Sequence, residues 1–139
     1  MLVKDIMTKD IASLDTDDSV EKAAQLMKQH DVGSIPVCRD KQVVGILTDR
    51  DIALRTVAEG KDSKQQKVCD IMSTELTLGK PDMNVTDAAS IMSEKQIRRL
   101  PIVENNNLVG IVALGDICLE PGLEHNAEDA LKNISEHTK

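Results

Sequence analysis

Thr48, Asp51, Arg98 and Arg99 are the side chains in this sequence with the most chemistry to offer. Thr48 and Asp51 stand three residues apart at the end of the apolar run Gly45-Ile46-Leu47. That spacing is a capping box, in which hydroxyl and carboxylate each hold a backbone N–H at a helix start. The same carboxylate can accept from two vicinal hydroxyls, as the acidic residue of dinucleotide-binding folds does. A helix start also has free N–H groups that favour a phosphate. The cap reading and the ligand reading stay open together, because one residue pair can serve both. Arg98 and Arg99 are either solvated charges at a strand start or a pair of planar, bidentate donors for phosphate oxygens.

Catalytic and metal chemistry find no comparable set. There is no histidine–carboxylate–nucleophile constellation and no G-x-x-x-x-G-K phosphate loop. Cys38, Cys69 and Cys118 are odd in number and widely spaced, so they read as reduced, mostly buried small hydrophobes. His30, His125 and His137 fall singly. Asp15, Asp17 and Asp18 read as a solvated turn, since the later Gly and Glu of a calcium loop are missing. No catalytic residue, no metal and no required cofactor are therefore expected. With 24 acidic and 17 basic residues (net charge −7) and no aromatic side chain, the chain lacks the basic stripe and stacking platforms of nucleic-acid binders. No apolar run reaches a membrane span, and Met1 leads into Lys4-Asp5 rather than an apolar signal segment. A soluble, cytoplasmic protein without membrane insertion is the expectation.

The elements that must position these residues come in two copies. Residues 5–52 align on 70–117 without a gap, with 14 identities in 48 positions. Asp5-Ile6-Met7 meets Asp70-Ile71-Met72, Ile35-Pro36-Val37 meets Leu100-Pro101-Ile102, Val44-Gly45-Ile46 meets Val109-Gly110-Ile111, and Asp51-Ile52 meets Asp116-Ile117. Repetition at one offset over this length defines the architecture before any element is assigned. Each copy reads as an extended stretch (Ile11–Leu14; Leu76–Leu78), a helix, two strands forming a hairpin, and a last helix. The first helix starts at Asp18 or Ser19, and its equivalent at Asn84. Glu21 and Asp87 stand three residues beyond Asp18 and Asn84, as capping boxes require. Val20, Ala23, Ala24 and Met27, with Val85, Ala88, Ala89 and Met92, are the apolar stripes. Turns are placed at Arg39-Asp40-Lys41 and Glu104-Asn105-Asn106-Asn107, and the last helices start near Asp49 and Gly115.

The fold class is therefore α/β (α+β): tandem βαββα repeats packed through their sheets with pseudo-twofold symmetry. The domain reading is residues 1–59, a polar linker 60–68, residues 69–120, and a tail 121–139 with a helix starting near Asn126. A single copy of about 50 residues has little core of its own, which is why the two copies should share one. A pseudo-twofold axis would create two related clefts, the usual place for a ligand.

The Asp-Ile-Met start, the Pro-centred strand, and the strand-to-helix junction Gly45-Ile46-Leu47-Thr48-Asp49-Arg50-Asp51 together resemble the CBS domain family, and the likeness covers residues 1–120. The resemblance implies a CBS pair, or Bateman module, that binds adenosine-containing ligands: AMP, ADP or ATP, with S-adenosylmethionine also possible. In that family the junction Asp takes the ribose hydroxyls and the junction Ser/Thr the phosphate side. Residues before the Pro-centred strand of the other repeat contact base and phosphate. Carried over, Thr48 and Asp51 join Ile97, Arg98, Arg99, Thr77 and Leu78 in a first site. Asp116 joins Val32, Gly33, Ser34 and the Ala12-Ser13 stretch in a second. The arginines would offset Asp49 and Asp51, which otherwise repel an anion. In the second set Ala113 stands where the Ser/Thr should be and Gly33-Ser34 where the arginines should be, so weaker binding is expected there. The resemblance also implies a homodimer and a separate regulated enzyme or transporter. The competing function is a structural or dimerising protein with vestigial sites.

Overall fold

The computed structural model describes residues 1–136; His137 lies outside the described residues. The protein is a mixed α/β structure with two compact units, one formed by Ala12–Leu76 and the other by Met1–Ile11 together with the chain from Thr77 onward. The first unit contains β1 (Leu14–Asp15), α1 (Val20–His30), β2 (Ser34–Arg39), β3 (Gln42–Thr48) and α2 (Asp49–Ile52), which runs on as a π-helical turn over Ala53–Val57. The second contains α3 (Val85–Lys95), β4 (Arg99–Glu104), β5 (Asn107–Ala113), α4 (Leu114–Cys118) and α5 (Glu124–Glu136).

The two hairpins are built alike. β2 and β3 are antiparallel with a bulge between Val37 and Cys38; β4 and β5 repeat it between Ile102 and Val103. Arg39 pairs with Gln42 and Glu104 with Asn107, so each turn shrinks to two residues, narrower than the spacing implies. Asp40 and Lys41 (φ 52° and 70°) and Asn105 and Asn106 (53° and 67°) are all left-handed, as the tightest hairpin turns demand. The extended stretch before α1 is shorter than expected. Only Leu14–Asp15 forms a strand, parallel to β2. In the second unit Gly79 occupies the place of Leu14 and makes a single parallel bridge to Ile102. Lys80-Pro81 follows, and proline has no N–H to extend the ladder.

For the first helix the structure takes one of the two starts the sequence offers. Ser19, not Asp18, caps α1: its Oγ accepts from Lys22 N–H at 3.1 Å, while Asp18 Oδ2 accepts from Asp15 N–H at 2.8 Å. Glu21 therefore has no capping-box role. Asn84 does cap α3, through Thr86 N–H at 3.1 Å. Residues 60–67 are polar, yet they fold back on α1: the Gln66 and Ser63 carbonyls accept from Val20 and Glu21 N–H at 3.0 and 2.9 Å. These are orphan donors of a helix N-terminus. Thr56 Oγ1 donates to Gln66 Oε1 at 2.6 Å and ties the same stretch to the π-turn.

The aliphatic stripes form the cores, with Leu14, Val20, Ala23, Ile35 and Leu47 buried in one unit and Val85, Ala88, Met92, Leu100 and Ile117 in the other. Ala24 is the exception, being exposed, whereas its counterpart Ala89 is only 2% exposed. The difference is α5, which starts at Glu124, earlier than Asn126, and buries Ala127, Ala130 and Ile134 in the second core. Asn133 Nδ2 donates to the Ser93 carbonyl and Oγ at 2.7 and 3.1 Å. Leu131 of the same helix is 44% exposed.

Each unit is closed by the opening segment of the other repeat. Thr8 exchanges both backbone bonds with Ile111 (2.8 and 2.9 Å), and Ser73 does the same with Ile46 (both 2.9 Å). These segments lie flat only because the strand residue next to the bridge is glycine. A Cβ on Gly110 would come 2.5 Å from Met7 Sδ and 3.2 Å from the Thr8 carbonyl; one on Gly45 would collide with Met72 Sδ and meet the Ser73 carbonyl at 3.0 Å. Methionine can shift, but the carbonyls are ladder backbone. Gly45→Ala and Gly110→Ala should each destabilise by about 1–3 kcal/mol, read as a lower denaturation midpoint at unchanged slope.

The cysteines divide by burial. Cys38 is buried, Cys69 intermediate and Cys118 exposed. Burial, and secondarily the Asp15 carboxylate, push the Cys38 thiol above its ordinary range. A thiol-specific reagent at pH 8 should label Cys118 first and leave Cys38 untouched until denaturant is added.

Candidate functional site

The strand-to-helix junctions show how locally specified the candidate residues are. β3 ends in extended backbone at Thr48, and the next residues turn into α2. Thr48 N–H donates to Asp51 Oδ2 at 3.0 Å, and Asp51 N–H donates to Thr48 Oγ1 at 3.0 Å. The capping box is thus fully formed, and both residues are half-buried. The second junction keeps half of it. Ala113 N–H donates to Asp116 Oδ2 at 3.1 Å, while the Ala113 methyl can accept nothing in return.

The residues before each hairpin reach the junction of their own unit by the same geometry. α1 and α3 end in left-handed residues, Asp31 (φ 52°) and Gln96 (φ 60°). Val32 N–H then donates to the Met27 carbonyl at 3.1 Å, and Ile97 N–H to the Met92 carbonyl at 3.0 Å. This reversal sets Gly33-Ser34 beside α2 and Arg98-Arg99 beside α4. Asp49 N–H donates to the Gly33 carbonyl at 2.9 Å, and Leu114 N–H to the Arg98 carbonyl at 2.8 Å. Ser34 pairs with Thr48, and Arg99 with Ala113.

The structure therefore brings Thr48 and Asp51 together in the first unit, with Val32, Gly33 and Ser34 alongside and Ser13 exposed just before β1. In the second unit it brings Ile97, Arg98 and Arg99 together at the junction that carries Asp116. Thr77 and Leu78 lead into the Gly79 bridge and are half-buried. Each residue set derived from the sequence thus draws on both units.

Two groups escaped the sequence reading. Asp5 and Asp70 reach back three residues, accepting from Leu2 and Lys67 N–H at 3.0 and 3.1 Å, so the acid of each Asp-Ile-Met start is a cap. The signal was available, since an acid repeated at the third position of a short turn is one half of a capping box. Glu124 and Glu128 of α5, together with Arg98 and Arg99, line a cavity of about 580 Å³. That meeting had no sequence signal, because the tail lies outside the repeat. Among the described residues no three His, Cys, Asp or Glu side chains are grouped to hold a metal, and no helix is long and apolar enough to cross a membrane.

The full and half boxes make a stability comparison. Thr48→Ala should cost about 1 kcal/mol by converting the first junction to the second's pattern, and Ala113→Thr should recover a similar amount, both read by chemical denaturation.

A CBS domain model matches residues 3–56 and 68–121. The chain is 53% identical over 133 residues to the CBS domain-containing protein YhcV of Bacillus subtilis, covering 96% of this chain and 94% of that protein. The crystal structure of hypoxic response protein I with two coordinated zinc ions has a TM-score of 0.78 at 30% identity, covering 85% of this chain and 97% of that one. The CBS domain pair of protein MJ0100, solved in complex with 5′-methylthioadenosine and S-adenosyl-L-methionine, has a TM-score of 0.73 at 30% identity, covering 84% and 92%. With the family model matched in both copies and a relative this similar over nearly its whole length, the chain belongs to the CBS domain family.

Proposed function

We propose that this chain is a cytoplasmic, non-catalytic sensor that binds an adenosine-containing ligand and passes its state to a separate partner protein, an enzyme or transporter. The observation that carries this reading is the Thr48–Asp51 junction. One carboxylate oxygen, Oδ2, is held by the Thr48 N–H. Oδ1 takes part in no hydrogen bond among the described residues, which leaves an acceptor on a rigid junction for a ribose hydroxyl. The MJ0100 pair, similar over most of this chain, was solved with two adenosine compounds.

In this reading the first ligand set is Thr48 and Asp51 with Ile97, Arg98, Arg99, Thr77 and Leu78. AMP, ADP or ATP is the favoured ligand, because two guanidiniums supply bidentate donors for phosphate oxygens. The second set, Asp116 with Val32, Gly33, Ser34 and Ser13, has no arginine pair and no junction hydroxyl. It binds phosphorylated ligands more weakly and leaves room for S-adenosylmethionine. Leu54 and Val57 beyond α2 are 47% and 71% exposed, which favours a homodimer as the working form.

Ligand at a hundredfold above its dissociation constant should stabilise the native fold by roughly 2.7 kcal/mol, raising the midpoint of calorimetric unfolding. Asp51→Asn keeps an acceptor for the Thr48 N–H but removes the charge. It should leave the unliganded midpoint nearly unchanged and weaken nucleotide binding at least about tenfold. No midpoint shift with millimolar AMP, ADP, ATP or S-adenosylmethionine would overturn the reading.

A further inference from the structure

The cavity beside α5 lies wholly within the second unit. Its volume of about 580 Å³ falls within the roughly 300–1,000 Å³ range of small-molecule sites. Arg98, Arg99, Glu124 and Glu128 are among its lining residues, Glu124 Oε2 also accepting from Gly122 N–H at 3.0 Å, and the surface it presents is mostly hydrocarbon, Leu114 and Leu131 included. Glu124 and Glu128 are one helical turn apart, so both carboxylates lie on one face of α5. None of these four charged residues forms an ion pair among the described residues.

The residues around this cavity differ from those at the aligned positions of the first repeat. At the aligned positions the first copy has Gly33 and Ser34 in place of the arginines, and Asp49 and Arg50 in place of Leu114 and Gly115. Asp49 is exposed, whereas Leu114 is 7% exposed. The opposing wall belongs to a helix that the repeat does not contain. Four departures from the repeat, together with one added helix, therefore meet at a single cavity. They place cationic groups, anionic groups and hydrocarbon around it.

We propose that this cavity binds a small zwitterion with an apolar body, an apolar amino acid or short apolar peptide. Its carboxylate pairs with Arg98 and Arg99, its ammonium with Glu124 and Glu128, and its side chains lie against Leu114 and Leu131. A simple anion would meet the glutamates unpaired, and a simple cation would meet the arginines. Only a ligand carrying both charges satisfies both walls. The site shares its arginines with the proposed nucleotide set, but Glu124 and Glu128 are outside that set.

Cys118 also lines the cavity and is exposed, so it can report occupancy in the unmodified chain. Its alkylation rate, followed by peptide mapping with Cys69 as internal control, is measured with leucine, leucyl-leucine, N-acetyl-leucyl-leucine and leucyl-leucine amide. Leucine or leucyl-leucine should slow Cys118 alone, and the two blocked peptides should bind at least about tenfold more weakly. In Glu124→Gln/Glu128→Gln, N-acetyl-leucyl-leucine and leucyl-leucine should become equivalent, while the nucleotide-induced shift in unfolding midpoint stays as in the wild type. Both glutamates are exposed, so the double variant keeps its fold. Lack of protection by every probe overturns the proposal. Equal protection by leucyl-leucine and its N-acetyl form in the wild type overturns it too, reducing the cavity to an anion site.

Discussion

In each unit a methionine thioether lies on the bare backbone of a strand glycine, Met72 on Gly45 and Met7 on Gly110. The bare glycine lets the segment carrying the methionine run close enough to the strand for Ser73 and Ile46, or Thr8 and Ile111, to exchange both main-chain bonds. A hairpin with one helix behind it would be a small and marginal core for a chain without a single aromatic side chain. The added segment supplies both backbone pairing and a polarizable side chain that fills irregular space. It also brings its own 3₁₀ turn, whose Asp5 or Asp70 carboxylate satisfies a backbone N–H that would otherwise be free. Because each closing segment opens the other repeat in the sequence, the repeat and the compact unit are offset by about one segment.

With the hairpin closed, the end of its second strand becomes a rigid platform for the junction. Thr48 and Asp51 hold one another through two reciprocal bonds, so Asp51 is oriented before any ligand arrives. Such preorganisation lowers the entropy that binding must offset. In the proposed function, cap and ligand contact are parts of one device: the carboxylate oxygen bound to the backbone aims the other. The left-handed turns at Asp31 and Gln96 perform the matching service for the residues before each hairpin.

The two copies keep this frame and diverge in what they place on it. The first junction has the hydroxyl, the charged Asp49 and Arg50, and a small Gly33-Ser34 neighbour. The second has lost the hydroxyl, gained two arginines, turned apolar at Leu114 and Gly115, and been flanked by α5. α5 also accounts for the unequal burial of Ala24 and Ala89, since only α3 has a helix packed on that face. The smaller Ser90 and Ser93 of α3, where α1 has Gln25 and Lys28, admit that packing.

Much of the frame was legible in the residues themselves. The repeat, the order of elements, both aliphatic stripes and the Thr48–Asp51 box follow from spacing, because helix and strand periods and capping are short-range rules. The misses have local causes of a subtler kind. The Asp18–Glu21 capping box did not form, because Asp18 is held by Asp15 N–H and Ser19 caps the helix, and Gly79-Lys80-Pro81 could not extend a strand. What no pattern along the chain could supply was which segment closes which hairpin, and that α5 would lie against the second junction. Those depend on the match between a glycine and a methionine, or between Ala127, Ala130 and Ile134 and the small residues of α3, many positions apart. Sequence periodicity assigns a face to each element; only packing decides what that face meets.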